Sequence, residues 1–114
     1  MGELEQAVLD ALWDADGASS GRQVHARLEG RDLAYTTVMT VLDRLVAKDL
    51  VVRERDGRAF RYAPRLSRAA MTAELMREAL EVTGADRDQA LVSFVGEASA
   101  EDLAALRRAL ADLT

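Results

Sequence analysis

The hydrophobic period of this chain changes at Leu50, and that change restricts its fold more than any other feature. Before it, apolar residues recur at helical spacing. Leu4, Val8, Ala11 and Leu12 predict a first helix over about 3–15, closed by Asp16-Gly17. Ser19-Ser20 offers an N-cap to a second helix that buries Val24 and Leu28 and ends near Gly30. Val38, Val41, Leu42 and Leu45 define a third helix over roughly 35–48, with a hydroxyl cap available at Thr36.

From Leu50 the alternation has period two. Leu50-Val51-Val52-Arg53-Glu54-Arg55 is β-branched and charged, and Asp56-Gly57 is a hairpin turn signal. Ala59-Phe60-Arg61-Tyr62 reads as the return strand, with Phe60 and Tyr62 on one face, Arg61 on the other, and Pro64 as its stop. Three helices and then a hairpin is the winged helix-turn-helix order. After Ser67, a further N-cap, the chain is helical again. Met71, Leu75, Met76, Ala79 and Leu80 share one face up to Gly84. Asp86 is placed to cap a fifth helix bearing Ala90, Leu91, Phe94 and Val95. Ser99 with Asp102 resembles a capping box before a last helix, whose Leu103, Leu106, Leu110 and Leu113 form a coiled-coil-like seam. The expected class is mainly α (α+β): a winged-helix domain over residues 1–66 and a helical dimerisation domain over 67–114.

Composition removes whole classes of function. The 114 residues contain no cysteine and one histidine, which excludes thiolate chemistry, disulfides and a multi-histidine metal site within one chain. His25 reads as a surface or backbone-contacting residue, and Trp13 as packing. No paired carboxylates, glycine-rich phosphate loop or nucleophile arrangement supports an enzyme, and no cofactor is expected. No apolar run is long enough to span a membrane, and the acidic start Met1-Gly2-Glu3-Leu4-Glu5 lacks a signal peptide's basic region, so a cytoplasmic protein is expected.

The net charge of −5 argues against nucleic acid only until it is mapped. Residues 67–114 hold 5 basic and 9 acidic side chains, whereas Arg44 to Arg65 holds 7 basic against 3 acidic. On the third helix Thr36, Thr37, Thr40, Arg44 and Lys48 stand away from the apolar stripe. Threonine reads base edges through its hydroxyl and thymine through its methyl, while cations engage phosphate. Arg53, Arg55, Arg58 and Arg61 flank the hairpin turn, where guanidinium forks suit the DNA backbone or a minor groove. The plainer alternatives are a solvated helix face and charge protection of an edge strand. The C-terminal apolar faces (Met71, Leu75, Leu91, Phe94, Leu103, Leu106 and Leu110) exceed what three short helices bury among themselves, so they either fold back on the winged-helix core or form a two-fold interface, and the dimer is expected. A winged-helix interaction scaffold that never touches DNA is the alternative function.

At Ala34-Tyr35-Thr36-Thr37-Val38-Met39-Thr40-Val41-Leu42-Asp43-Arg44-Leu45 the chain closely resembles the penicillinase-repressor (BlaI/MecI/CopY) family. Gly2-Glu3-Leu4-Glu5 with Val8 and Leu12-Trp13, Val24-His25 with Leu28, and Arg53 through Tyr62 are similar to its first helix, second helix and wing. The resemblance implies a homodimeric repressor on double-stranded operator DNA, an inverted repeat of TACA/TGTA type. It implies that Tyr35, Thr36, Thr37, Thr40 and Arg44 face DNA from the third helix, and Arg55, Arg58 and Arg61 from the wing. The copper-responsive branch binds metal through cysteine pairs that this chain lacks. The β-lactam branch is induced by a membrane sensor-protease that leads to cleavage of an Asn-Phe bond. The corresponding stretch here is Leu91-Val92-Ser93-Phe94-Val95, with Ser93 where that branch has asparagine.

Overall fold

The computed structural model describes residues 2–113, which contain six α-helices and a three-stranded antiparallel sheet. They form two compact units, Met1–Thr72 and Ala73–Thr114.

In the first unit, α1 (Glu3–Trp13), α2 (Gly21–Arg27) and α3 (Tyr35–Ala47) pack around Val8, Leu9, Leu12, Val24, Val38, Val41, Leu42 and Leu45, each at most 2% exposed. Strands β2 (Val51–Asp56) and β3 (Ala59–Pro64) form the hairpin, and Val51 and Tyr62 close the core from its base. Trp13 donates its indole N–H to the Leu66 carbonyl at 2.9 Å, which fastens the end of α1 to the chain leaving β3. The first turn of α4 (Arg68–Val82) is capped by Ser67, whose Oγ accepts from the Ala70 N–H. That turn carries Met71, only 5% exposed, into the same core. The first unit therefore runs to Thr72 rather than ending at residue 66, and Met71 is a core residue here instead of part of a dimer face.

The local signals differ from the sequence expectation in instructive ways. Strand β1 (Ser19–Ser20) is only two residues long and pairs with β3, Ser19 opposite Tyr62 and Ser20 opposite Arg61. Ser20 also opens α2 through a complete capping box with Gln23. Asp16-Gly17 lies in the connection after α1 rather than at its end. Gly30 sits inside a 3₁₀ turn, Glu29–Arg31, and Asp32 supplies the left-handed residue that ends it. The hairpin turn is centred on Gly57-Arg58, one residue later than expected, because Asp56 still pairs with Ala59. Gly57, at φ 65°, takes the first central position, where a type II′ turn needs glycine. Pro64 is the last residue of β3, opposite Val51, rather than outside it.

Helix α3 ends in a Schellman motif: Leu50 N–H donates to the Leu45 carbonyl and Asp49 N–H to that of Val46. Asp49 takes the left-handed position at φ 63° that glycine usually fills. The turn redirects the chain from helix into β2.

Burial pushes the Tyr62 phenol above its ordinary value of 10, and the Asp43 carboxylate adds to the rise against the opposing charge of Arg53. The folded chain therefore keeps a proton that the unfolded chain releases above about pH 10. The Tyr62 contribution is fully present below that pH and is lost as pH rises through the folded value. Urea midpoints between pH 8 and 11 should fall more steeply for wild type than for Tyr62→Phe.

The second unit comprises the rest of α4, a 3₁₀ turn at Gly84–Asp86, α5 (Arg87–Glu97) and α6 (Ala100–Asp112). Asp86 occupies the N-cap position of α5 but makes no side-chain cap bond, whereas Ser99 Oγ accepts from the Asp102 N–H at the start of α6. No described residue of this unit is buried. Met76, Leu80, Leu91, Phe94, Val95 and Leu106 line an apolar groove of about 400 Å³.

Candidate nucleic-acid interface

Helix α3 splits along its length. Val38, Val41, Leu42 and Leu45 face the core, while Thr36, Thr37, Thr40, Asp43 and Arg44 are exposed on the other side. The N-cap is Ala34, without a side-chain cap bond, so the cap expected from Thr36 is absent. Thr40 donates its hydroxyl to the Thr36 carbonyl at 2.9 Å. Its free chemistry is then an acceptor oxygen and a methyl group, suited to an exocyclic amine or a thymine methyl.

Tyr35 begins α3 and is 37% exposed. The His25 ring meets it edge-on at 6.0 Å, and the Arg22 guanidinium lies 5.2 Å from its centroid. His25 Nε2 sits 2.6 Å from the Leu33 carbonyl, so this histidine fastens α2 to the turn before α3.

The wing has two chemically distinct faces. Arg53 stands opposite Tyr62 and Arg55 opposite Phe60, so all four share the core side of the hairpin. Both guanidiniums approach the Phe60 ring, at 4.4 Å for Arg53 and 5.8 Å for Arg55. Arg61 lies on the reverse face. It donates to Asp56 Oδ2 at 2.7 Å and to the Ala18 carbonyl at 3.3 Å.

Ion pairing sorts the cations of the first unit. Arg31 pairs with Glu3, Arg53 with Asp43, Arg61 with Asp56, Arg65 with Asp49, and Arg68 with Asp10 and Asp14. Lys48, expected on the open face of α3, donates to both oxygens of Glu5 at 2.9 and 2.8 Å. The Glu5 side chain is 11% exposed, so this pair is structural. Arg27 is held by Ser19 Oγ at 2.8 Å. Within the described residues of the first unit, Arg22, Arg27, Arg44, Arg55 and Arg58 form no ion pair with a carboxylate, and of these Arg27 is held by Ser19 and Arg55 donates to the Gly57 carbonyl at 3.2 Å. Of the expected DNA-facing residues, the structure gathers Tyr35, Thr36, Thr37, Thr40 and Arg44 on α3, with Arg55 and Arg58 on the wing, while Arg61 is engaged within the sheet. Sequence reasoning missed Arg22. A cation one residue after the Gly21 start of α2 was the available signal.

Of the residues expected at a dimer contact, Leu75, Leu91, Phe94 and Leu110 are 42%, 43%, 51% and 62% exposed, and Leu103 and Leu106 are partly covered. The Ser93–Phe94 bond lies within α5. Among the described residues, no three His, Asp or Glu side chains converge as a metal site, and no helix is long and apolar enough to cross a membrane.

A family model and a close relative in sequence point to the same family. The penicillinase repressor family model matches residues 1–112. The transcriptional regulator BlaI of Mycobacterium tuberculosis is 52% identical over 117 residues, covering 99% of this chain and 84% of that protein. Among solved structures, the monomeric form of Bacillus licheniformis BlaI in complex with the blaP half-operator superposes with a TM-score of 0.51 at 23% identity. It covers 60% of this chain and 84% of that one. H. salinarum RosR superposes with a TM-score of 0.52 at 25% identity, over 92% of this chain and 96% of that one. With the winged-helix fold in place, the chain belongs to the penicillinase repressor family of transcriptional regulators.

Proposed function

We propose that this chain is a cytoplasmic, homodimeric repressor that binds an inverted-repeat operator of TACA/TGTA type. The observation that carries this reading is the exposed threonine face of α3 bordered by arginines that no carboxylate neutralises. Each protomer inserts α3 into a major groove, and two-fold symmetry sets the half-sites about 34 Å apart. Thr36, Thr37, Thr40 and Tyr35 supply base preference, and Arg44, Arg55 and Arg58 supply phosphate affinity. Arg61 acts indirectly, by holding the wing to the Ala18 carbonyl and Asp56. Leu75, Leu91, Phe94, Leu103, Leu106 and Leu110 form the dimer contact, supported by the lack of any buried residue in the described part of the second unit. Induction by a membrane sensor-protease, through cleavage at Ser93–Phe94, is the finer part of the proposal. Such a cut would detach α6 and the end of α5 from the DNA-binding unit and remove the avidity of two linked half-site contacts.

Gel shifts over a salt series test the reading. Arg58→Ala should weaken binding to operator and unrelated duplex alike and flatten the salt slope by about 1. Thr40→Val keeps the methyl and loses the acceptor, so it should narrow the gap between operator and single-base variants while leaving the slope unchanged. A wild-type protein with no salt-sensitive, sequence-dependent shift would favour the scaffold reading instead.

A further inference from the structure

Between the start of α2, the first turns of α3 and the outer part of the hairpin lies an open cleft of about 300 Å³. Gly21, Arg22, Tyr35, Met39, Arg58 and Phe60 line it, and no acidic side chain does. A Cβ at position 21 would come within 2.5 Å of Met39 Sδ and 3.2 Å of the Tyr35 hydroxyl, so a larger residue there would displace the Met39 thioether that lines the cleft. Neither Arg22 nor Arg58 has a carboxylate partner. They reach the cleft from two different elements, one from α2 and one from the hairpin tip.

We infer that this cleft seats a backbone phosphate of the operator, clamped between Arg22 and Arg58. The inference rests on the DNA-binding reading above and adds to it a residue of α2. Tyr35 and Met39 are four apart on α3 and border the neighbouring Thr36/Thr40 face, since successive helical residues turn by about 100°. A helix in a major groove about 12 Å wide has phosphates along both flanks, and the cleft opens along one flank of this helix. Two guanidinium forks around a single phosphate oxygen set match its donor demand. The contact of Arg22 with the Tyr35 ring orients the guanidinium before DNA arrives, which lowers the entropy lost on binding.

The test uses the full chain and a series of operator duplexes in which single phosphates are replaced by uncharged methylphosphonate. Arg22→Gln should weaken binding about tenfold, equally on operator and unrelated duplex, and flatten the salt slope by about 1. Arg22→Lys should retain the slope. One methylphosphonate position should weaken wild type yet have no further effect on Arg22→Gln or Arg58→Gln, and the double variant should lose less than the product of the two single losses. Thermal melts of each variant separate misfolding from lost contact. Operator binding by Arg22→Gln with wild-type affinity and slope would overturn the clamp, provided that Thr40→Val and Arg44→Gln still respond. If wild type itself shows no salt-sensitive operator shift, the DNA-binding reading fails first. Loss confined to operator with an unchanged slope would make Arg22 a support for Tyr35 and also overturn the clamp. Competition by millimolar inorganic phosphate, with no sensitive methylphosphonate position, would assign the cleft to a free anion instead.

Discussion

Leu106→Glu should break the proposed dimer and lower affinity for a full operator by at least about a hundredfold, while leaving the DNA-binding unit folded. The described helices of the second unit bury no residue by themselves. Leu106 lines their apolar groove beside Leu91 and Phe94. A carboxylate there either stays in water and blocks the contact or enters it unpaired, at a cost of several kcal/mol. Losing the partner turns an intramolecular second contact into an independent one, and linkage of two sites contributes roughly 10²–10⁴ in avidity. Sedimentation should show one chain per particle. Far-ultraviolet dichroism should change little, and affinity for an isolated half-site should match that of wild type. Wild-type affinity of the variant for the full operator would refute a dimer held by this groove.

Leu42→Ala acts on the other unit and should be the most damaging single truncation there. Leu42 is fully buried on the inner side of α3. Removing its branched end leaves a cavity that packed neighbours fill only in part, a loss of about 2–5 kcal/mol. A domain of this size has a total stability of only about 3–10 kcal/mol, so a large share of molecules would be unfolded at 37 °C. The urea midpoint should drop sharply with little change in m-value, and operator binding should decline with the folded fraction. Leu42→Met preserves volume and should cost less than about 1.5 kcal/mol. Equal midpoints for Leu42→Ala and wild type would refute tight docking of α3.

What could be read from the sequence follows how local each signal is. The 3.6-residue stripe of Val38, Val41, Leu42 and Leu45 located α3 and oriented its threonine face, because periodicity is a property of neighbours. The alternation of Phe60, Arg61 and Tyr62 located the hairpin for the same reason. Strand β1 escaped notice because two residues carry no period, and its partner is some forty residues away. The same distance hid the state of the cations. Lys48 looks free beside Arg44 until Glu5 is folded against it, and Arg61 looks like a wing contact until Ala18 and Asp56 take its donors. Arg22 looks unremarkable until the fold sets it against the Tyr35 ring. Asp49 at the left-handed end of α3 was hidden by chemistry instead, since glycine is the usual signal there.

The pairing of Ser19 and Ser20 with β3 has a dynamic consequence. An isolated two-stranded hairpin is marginally stable in water, yet this one is stitched at mid-strand, at Arg61 and Tyr62, to the residues that start α2. Fraying β3 along its length would break the β1 pairing and disturb the α2 cap. Amide hydrogens in the inner half of the hairpin and in the first turn of α2 should therefore exchange with solvent together, as one cooperative opening, while those at the Gly57-Arg58 tip exchange far faster. The start of α2 and the paired part of the hairpin therefore act as one body, and the freedom that remains is concentrated at the Gly57-Arg58 tip.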